Sequence, residues 1–334
     1  MDKAAKLLVG IDLNAKRGAE IGALDKPIIP PTTPGVCYFD YLSTEELLAK
    51  YRDDPNVTIP NVVPVSHVWR GEPLESIVGP DLRFDYIVAS HVIEHVPDLV
   101  GWLRDLVSVL APGGQIRLAV PDRRYCFDLL RQNTQITDVL IAHIAKAKTP
   151  QPRAVVDWAL HVADVECLAI WRGEINRTAL KRLIPPDHAI ELGRSAMFDG
   201  AYHDVHCWTF TPLSFARLMR ALCAYGLLSV KCASYLDTDR YSLEFFVNLE
   251  PCDDADEVSR SWTAMENALL DLGATADDPR DHSNVGELKQ QLEATSRQLE
   301  DANAKVAALL HSTSWRVTAP MRLLKTALNG LRRP

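Results

Sequence analysis

The sequence lacks long apolar runs and closely spaced cysteines. No uninterrupted apolar run approaches the roughly 18 residues that a transmembrane helix needs, and the first residues are too poor in apolar side chains for a signal peptide. The seven cysteines form no CxxC pair, which favours reduced thiols that pack as small hydrophobic side chains. These absences predict a cytoplasmic protein.

Basic residues are scarce in most of the chain. The formal net charge is −8, yet residues 312–334 hold five basic side chains and no acidic one, which leaves the rest of the chain at −13. A body this acidic argues against binding nucleic acid, because phosphate contacts need clustered lysine and arginine. The five basic residues of the tail are Arg316, Arg322, Lys325, Arg332 and Arg333.

Short apolar segments alternate with helical patterns over the first 120 residues, which is typical of βαβ units. We expect strands at 17–22, 35–41, 61–68, 85–90 and 115–120, and helices beginning at Ser43 and spanning 99–110. After a mostly helical stretch and a helix at 212–225, strands at 227–235 and 242–249 form an antiparallel pair. The pattern predicts an α/β fold with a doubly wound, mostly parallel, seven-stranded sheet.

The domain organisation follows from changes in composition. Residues 1–250 form the main domain, in which 123–205 are a helical cap inserted after the fifth strand. Residues 251–284 are an acidic linker with one helix candidate that keeps apolar spacing and can dock on the body. Apolar residues step by four and three from Leu288 to Leu309, so a coiled coil at 285–311 is expected to form a homo-oligomer. An amphipathic basic tail at 312–334 follows.

The first strand ends in a segment suited to a nucleotide-like ligand. Glu20, Gly22 and Ala23 lie there, and a glycine lets the backbone approach a ligand closely. Asp40 follows Gly22 by eighteen residues, at the end of the second strand, where an acid accepts hydrogen bonds from ribose hydroxyls. Ligands of open parallel sheets bind beyond these carboxyl ends.

Three further segments carry a resemblance to a known family. Residues 84–96 (FDYIVASHVIEHV), 110–114 (LAPGG) and 120–122 (VPD) resemble the class I S-adenosylmethionine methyltransferases, especially a small-molecule branch that includes ubiquinone-type O-methyltransferases. The resemblance implies a Rossmann-like fold and S-adenosylmethionine as cofactor. It implies that Glu20, Gly22 and Ala23 line the methionine and ribose parts, that Asp40 holds the ribose, and that Ser90 and His91 face the site.

Two segments depart from the family pattern. The first strand ends in EIGALDKP, where relatives more often have a loop with several glycines. After the third strand the chain reads Trp69-Arg70-Gly71-Glu72, and Arg70 stands where many relatives have an acidic adenine contact. We therefore expect Glu72 or backbone groups, such as those of Gly71, to contact the adenine.

Histidines supply the candidates for catalysis. Methyl transfer to oxygen often needs a base, and a histidine titrates near neutral pH. The candidates are His91, His203 and His206; the alternative is that they cap or pack. Arg123 and Arg124 either clamp an anionic substrate or face solvent.

The sequence assigns no metal ligand. Residues 91–95 match H-x-x-E-H, but a zinc peptidase needs this pattern inside a long helix, and Pro97 follows too soon. Some relatives hold a divalent cation through an acid, a glutamate and a histidine in this turn, and His91 replaces the first acid.

The tail suggests the acceptor. Residues 314–325 (SWRVTAPMRLLK) resemble segments at the ends of many bacterial surface-polysaccharide glycosyltransferases and methyltransferases. An apolar face beside unopposed positive charge also suits the anionic inner face of a cell membrane. We expect O-methylation of a sugar in a lipid-linked or nascent surface glycan. The alternatives are methylation of a quinone or other small lipid, and a non-catalytic scaffold that recruits glycosyltransferases.

Overall fold

The computed structural model describes residues 2–272, so the predicted coiled coil and basic tail lie outside the described residues. The strands are β1 (Gly18–Ile21), β2 (Cys37–Asp40), β3 (His67–Val68), β4 (Phe84–Ser90), β5 (Leu110–Pro121), β6 (Val230–Leu236) and β7 (Glu244–Pro251). The helices are α1 (Lys3–Leu7), α2 (Thr44–Lys50), α3 (Leu74–Val78), α4 (Leu99–Ser108), α5 (Ile136–Ile144), α6 (Pro152–His161), α7 (Cys167–Trp171), α8 (Pro186–Arg194), α9 (Pro212–Ala224) and α10 (Ala255–Asp271).

The strands form one sheet in the order β3-β2-β1-β4-β5-β7-β6. The first five strands run parallel, whereas β7 runs antiparallel to both β5 and β6. The predicted seven-stranded, mostly parallel sheet is confirmed. The chain moves outward from β1 through β2 to β3 and then returns to the other side of β1 with β4. This reversal of strand order opens a crevice beyond the carboxyl ends of β1 and β4.

The fourth strand and the following helix, α4, are buried in the main hydrophobic core. Val88 and Ile87 of β4 are buried, as parallel strands covered on both faces require. Asp98 caps α4 by accepting a hydrogen bond from the Gly101 N–H at 2.9 Å, and Leu103 is fully buried on the inner face of the helix. The elements that carry the functional edge therefore rest on the main hydrophobic core.

Several sequence-based boundaries were wrong, including the start of the fifth strand, which begins at Leu110 rather than at residue 115. The helix predicted to reach residue 110 ends at Ser108, because Leu110 already pairs with Phe84 of β4. The third strand, predicted at 61–68, comprises only His67–Val68, and a 3₁₀ turn occupies Ile59–Asn61. Pro64 lacks the N–H that a ladder needs, which explains why pairing begins only after it.

The cap contains α5 to α8, which are short helices joined by turns, and Ser195–Asp199 forms a π-helical turn. The long helix α10 packs on α9 and β6. Its Trp262 is fully buried and donates a hydrogen bond from Nε1 to the Val230 carbonyl at 2.9 Å. The packed core therefore extends beyond residue 250. No helix within residues 2–272 is long and apolar enough to cross a membrane.

Candidate active site

The residues predicted to bind the cofactor lie at the ends of neighbouring strands or in the loops directly after them. Ile21 pairs with Phe39 on one side and with Ala89 on the other, and Asp40 pairs with Val68. The segments after β1, β2, β3 and β4 therefore meet at one edge of the sheet. This edge carries all eight predicted contacts, namely Glu20, Gly22, Ala23, Asp40, Gly71, Glu72, Ser90 and His91.

The loop after β1 is held by the backbone rather than by a run of glycines. Gly22 has a φ of 70° and donates its N–H to the Phe39 carbonyl at 2.9 Å. Glu20 is 2% exposed, and its carboxylate accepts hydrogen bonds from the backbone N–H groups of Ile28 and Ile29, both at 2.8 Å. Burial raises the pKa of Glu20 to about 7, although the two hydrogen bonds oppose the rise. Glu20 thus ties the loop back onto its strand.

Ala23 is buried, and its side chain packs in a small cluster with Tyr38 and Val63. Asp40, at the end of β2, accepts a hydrogen bond from the Leu42 N–H at 3.3 Å. Burial raises the pKa of Asp40 above its ordinary value, against the effect of nearby backbone N–H groups and Lys50. The carboxylate therefore lies partly withdrawn from solvent at the sheet edge.

The segment after β3 differs from the family pattern, as the sequence indicated. Arg70 donates to both carboxylate oxygens of Glu46, at 3.0 and 2.8 Å, and to the Tyr41 carbonyl. Gly71 has a φ of 95°, and the exposed Glu72 carboxylate accepts the Arg70 N–H at 3.0 Å. The arginine thus joins the end of β2 to the end of β3, and the backbone around Gly71 follows the edge.

His91 is the centre of a charged group at the end of β4. Its φ is 56°, a left-handed conformation that is uncommon for a residue with a side chain. Nε2 lies 2.6 Å from Oε2 of Glu244, and Nζ of Lys3 lies 2.8 Å from the same oxygen. Lys3 also donates to Oγ of Ser90 at 3.3 Å. The side chain of His91 is 30% exposed, so a ligand can reach it.

Sequence reasoning missed Lys3 and Glu244. Glu244 is the first residue of β7 and pairs with Pro121, the last residue of β5. Because β7 is antiparallel, its beginning lies where the parallel strands end. That rule is the signal that could have found Glu244, whereas nothing in the sequence indicates that α1 reaches this edge. Burial alone would raise the pKa of Glu244, but the hydrogen bonds from His91 and Lys3 lower it below its ordinary value.

A second histidine group joins the turn after β4 to the cap. His206 is buried, its Nδ1 lies 2.5 Å from Oδ2 of Asp128, and its Nε2 lies 4.0 Å from Oε1 of Glu94. His95 Nδ1 lies 3.1 Å from Oδ1 of Asp204. Burial alone would lower the pKa of His95, but the adjacent Asp204 carboxylate and the nearby acids raise it. The His95 partner holds the pKa of Asp204 down to about 2.

The remaining sequence candidates lie in less open surroundings. His203 is half-buried, and its Nε2 has no hydrogen-bond partner among residues 2–272. Arg123 and Arg124 are both buried. The Arg124 guanidinium is bonded to both carboxylate oxygens of Asp122, so neither an anion clamp nor a solvent-facing role describes Arg124.

A cavity of about 290 Å³ lies within the cap and is separate from the cofactor edge. It is lined by residues of three segments, which are 131–135 with Asp138 and Ile141, 151–154 with Asp157, and Met197 with 207–209. None of the predicted cofactor contacts lines it. Cys207 and Trp208 follow His206 directly, so the cavity adjoins the second histidine group.

Comparison with known proteins identifies the family. Residues 8–222, more than half of the chain, match the sequence model of a family described as methyltransferase domain. A ubiquinone biosynthesis O-methyltransferase of Methylobacterium sp. (strain 4-46) is 38% identical over 61 residues, which are 18% of this chain and 24% of the relative. The corresponding enzyme of Methylobacterium nodulans is 36% identical over 61 residues, with the same shares of the two chains. The matched segment thus spans about a quarter of the length of these relatives.

Solved structures also resemble the chain. The methyltransferase CcbJ from Streptomyces caelestis is 13% identical, with a TM-score of 0.36, over 75% of this chain and 94% of CcbJ. An S-adenosylmethionine-dependent methyltransferase from Clostridium acetobutylicum is 7% identical, with a TM-score of 0.35, over 71% of this chain and 84% of its own.

The cofactor fits the edge that these residues build. A Cβ added at Gly22 would lie 3.0 Å from Cγ2 of Val92, so the loop packs closely on the turn after β4 and only a glycine fits there. Asp40 provides the acid at the end of the neighbouring strand, and the edge lies at the reversal of strand order where nucleotide-like ligands bind. The family match and the sheet agree, and the chain belongs to the class I S-adenosylmethionine-dependent methyltransferases.

Proposed function

We propose that this methyltransferase transfers a methyl group to a hydroxyl of a sugar in a lipid-linked or nascent surface glycan, with His91 as the general base. The observation that carries the proposal is the pair of His91 and Glu244, 2.6 Å apart at the end of β4. A histidine–carboxylate pair beside the cofactor edge supplies the base that O-methylation needs.

The geometry gives the two ring nitrogens of His91 different tasks. Nε2–H donates to Glu244, which fixes the neutral tautomer in which Nδ1 carries the lone pair. Nδ1 then accepts the proton of the acceptor hydroxyl as the new C–O bond forms. The resulting imidazolium is stabilised by Glu244 and by Glu94, whose Oε1 lies 3.6 Å from Nδ1. Glu244 is a positioning residue, since it acts through His91.

S-adenosylmethionine supplies the electrophilic methyl group on its sulfonium when bound. We propose that the loop after β1 holds the methionine and ribose parts, with Glu20 acting through the loop that it fastens, and that Asp40 holds the ribose hydroxyls. Backbone groups near Gly71 and the Glu72 carboxylate contact the adenine. The full proposed set of cofactor contacts is Glu20, Gly22, Ala23, Asp40, Gly71, Glu72, Ser90 and His91.

The catalytic roles of His203 and His206 stay predictions. His206 has one nitrogen held by Asp128 and lies behind the turn that carries Glu94. His203 Nε2 is buried without a partner among the described residues, which suits a contact to an acceptor hydroxyl better than a packing role.

The sugar acceptor is supported by the resemblance of residues 314–325 to segments of surface-polysaccharide enzymes. The second candidate acceptor is a quinone or other small lipid, which is favoured by the local similarity to ubiquinone biosynthesis O-methyltransferases. Incubation with radiolabelled S-adenosylmethionine separates the two, with a membrane glycan extract in one reaction and isolated quinols in the other. Label in the glycan fraction supports the proposal, whereas label in the quinols alone refutes it.

We also propose that residues 285–311, which lie outside the described residues, form a homo-oligomeric coiled coil, and that residues 312–334 contact an anionic membrane surface from the cytoplasmic side. Each basic residue near such a surface contributes about 1 kcal/mol. The full chain is expected to sediment with anionic liposomes at low salt, and the chain cut after residue 311 is not. Equal sedimentation of the two would contradict the membrane contact.

A further inference from the structure

Glu94 is a buried carboxylate without a hydrogen bond. It is fully buried, and neither of its oxygens has a hydrogen-bond partner among residues 2–272. The facing groups are the imidazoles of His91, 3.6 Å away, and His206, 4.0 Å away. A fully buried carboxylate whose oxygens face imidazole rings but accept no hydrogen bond is unfavourable, so this position suits a bound cation.

Two histidines face the same point as Glu94. One ligand atom from each of Glu94, His95 and His206 lies within 4.8 Å of the others. Each histidine has its Nδ1 beside a carboxylate, Asp204 for His95 and Asp128 for His206. This leaves the second nitrogen of each ring available. Metal-binding histidines almost always have their other nitrogen oriented by a carboxylate or carbonyl in this way.

We propose that Glu94, His95 and His206 bind a divalent transition-metal ion such as Zn²⁺. Imidazole nitrogen with carboxylate oxygen suits such ions, whereas Mg²⁺ prefers oxygen ligands alone. Zinc ligands at about 2.1 Å lie roughly 3.4 Å apart in tetrahedral geometry, so the ligand atoms draw slightly closer on binding. Three protein ligands leave a position for water or an acceptor oxygen.

This ligand set differs from one confined to the turn after β4. His91 is engaged by Glu244, and the third ligand, His206, directly follows the cap instead. The two segments are already joined, because the Glu94 carbonyl accepts the N–H groups of Cys207 at 2.6 Å and Trp208 at 3.2 Å. The ligands are thus held together before an ion arrives. The metal site does not depend on the identity of the methyl acceptor.

The test uses the full-length protein, stripped with a chelator and titrated with Zn²⁺, with Co²⁺ as a spectroscopic probe and with Mg²⁺ as the control ion. One Zn²⁺ or Co²⁺ per chain is expected, with the visible absorption of Co²⁺ in a nitrogen–oxygen site. Glu94→Gln and His206→Ala are expected to abolish this binding. Asp128→Asn, which only loosens a ligand, is expected to weaken it by about 10–100-fold.

His188→Ala is the matched control, because His188 also pairs with an acid, Glu191, but lies on exposed α8. It is expected to bind Zn²⁺ as the unmodified chain does. Glu94→Gln keeps the shape of the side chain and removes a buried charge, so it is expected to fold. Zn²⁺ should raise the melting temperature of the unmodified chain but not that of Glu94→Gln. No stoichiometric Zn²⁺ in the unmodified chain, or unchanged binding in the ligand variants, would overturn the proposal.

Discussion

The two halves of the functional edge satisfy their buried polar groups in different ways. In the cofactor half, after β1 and β2, the Glu20 carboxylate is matched by two backbone N–H groups a few residues away. In the acceptor half, after β4 and under the cap, His91, His95 and His206 are each matched by a carboxylate from another part of the chain. The Glu94 carboxylate there has no hydrogen-bond partner among residues 2–272.

This difference indicates that one half of the edge works through backbone conformation and the other through reactive side chains. Backbone N–H groups fix the loop around Glu20 but offer no second side chain that could exchange a proton or bind an ion, so the cofactor half works through the conformation of the chain. Side-chain pairs can exchange protons or bind ions, and a buried group without a partner marks where a ligand is expected. Three variants of the cofactor half sharpen the comparison: the expected loss of cofactor affinity is larger for Gly22→Val than for Asp40→Ala, and Glu20→Gln changes the pH dependence of stability.

Gly22→Val is expected to abolish S-adenosylmethionine binding. At a φ of 70° a side chain costs roughly 1–2 kcal/mol in the backbone alone, and the new Cβ would lie 3.0 Å from Val92. Isothermal titration calorimetry with the cofactor measures the loss. Gly226→Val is the control, since Gly226 has a φ of 68° with nothing within 4 Å of the added Cβ. Retained affinity in Gly22→Val would break the assignment of the cofactor half.

Asp40→Ala is expected to weaken cofactor binding without abolishing it. A hydrogen bond to a charged group contributes about 1.5–3 kcal/mol, which corresponds to a rise of roughly 10–150-fold in Kd. Asp85→Ala is the matched control, because Asp85 lies at the opposite end of β4 and bonds to Lys16 and Arg17. Equal affinities for the two variants would show that Asp40 does not face the ribose.

Glu20 predicts a pH dependence of stability. Its pKa of about 7 in the folded chain is above the ordinary value of 4.5, so the folded state binds more protons between these two values. Stability from this group is full below pH 4.5 and is lost as the pH rises through 7, by roughly 3 kcal/mol. The free energy of unfolding, measured with denaturant from pH 5 to 8, should fall more steeply for the unmodified chain than for Glu20→Gln. Parallel profiles would contradict this.

The cofactor half could be predicted from the sequence because its determinants are local. The apolar run 85–90, the glycine after β1 and the acid after β2 each indicate their element within a few residues. The sequence-based boundaries were wrong where a strand partner far away in the chain determines the end of an element. Leu110 continues the helical spacing of α4, yet its partner Phe84 draws it into β5.

The acceptor half could be predicted only in part. The sequence named His91 and His206 from their residue type, but their partners are far away in the chain. Glu244 lies 153 residues from His91, and Asp128 lies 78 residues from His206. No periodicity relates such positions, because only the closing of the sheet and the folding of the cap bring them together. The motif at residues 91–95 contains Glu94, but nothing in the sequence indicated that its side chain is buried.

The most direct test of the proposed mechanism is the turnover of His91→Ala, assayed with labelled S-adenosylmethionine and a membrane glycan extract. His143→Ala is the control, because His143 also lies beside an acid, 3.0 Å from Asp98, but on α5 away from the edge. Loss of the general base predicts a fall in kcat of roughly 10²–10⁴-fold at saturating cofactor. A kcat for His91→Ala equal to that of His143→Ala would contradict the account.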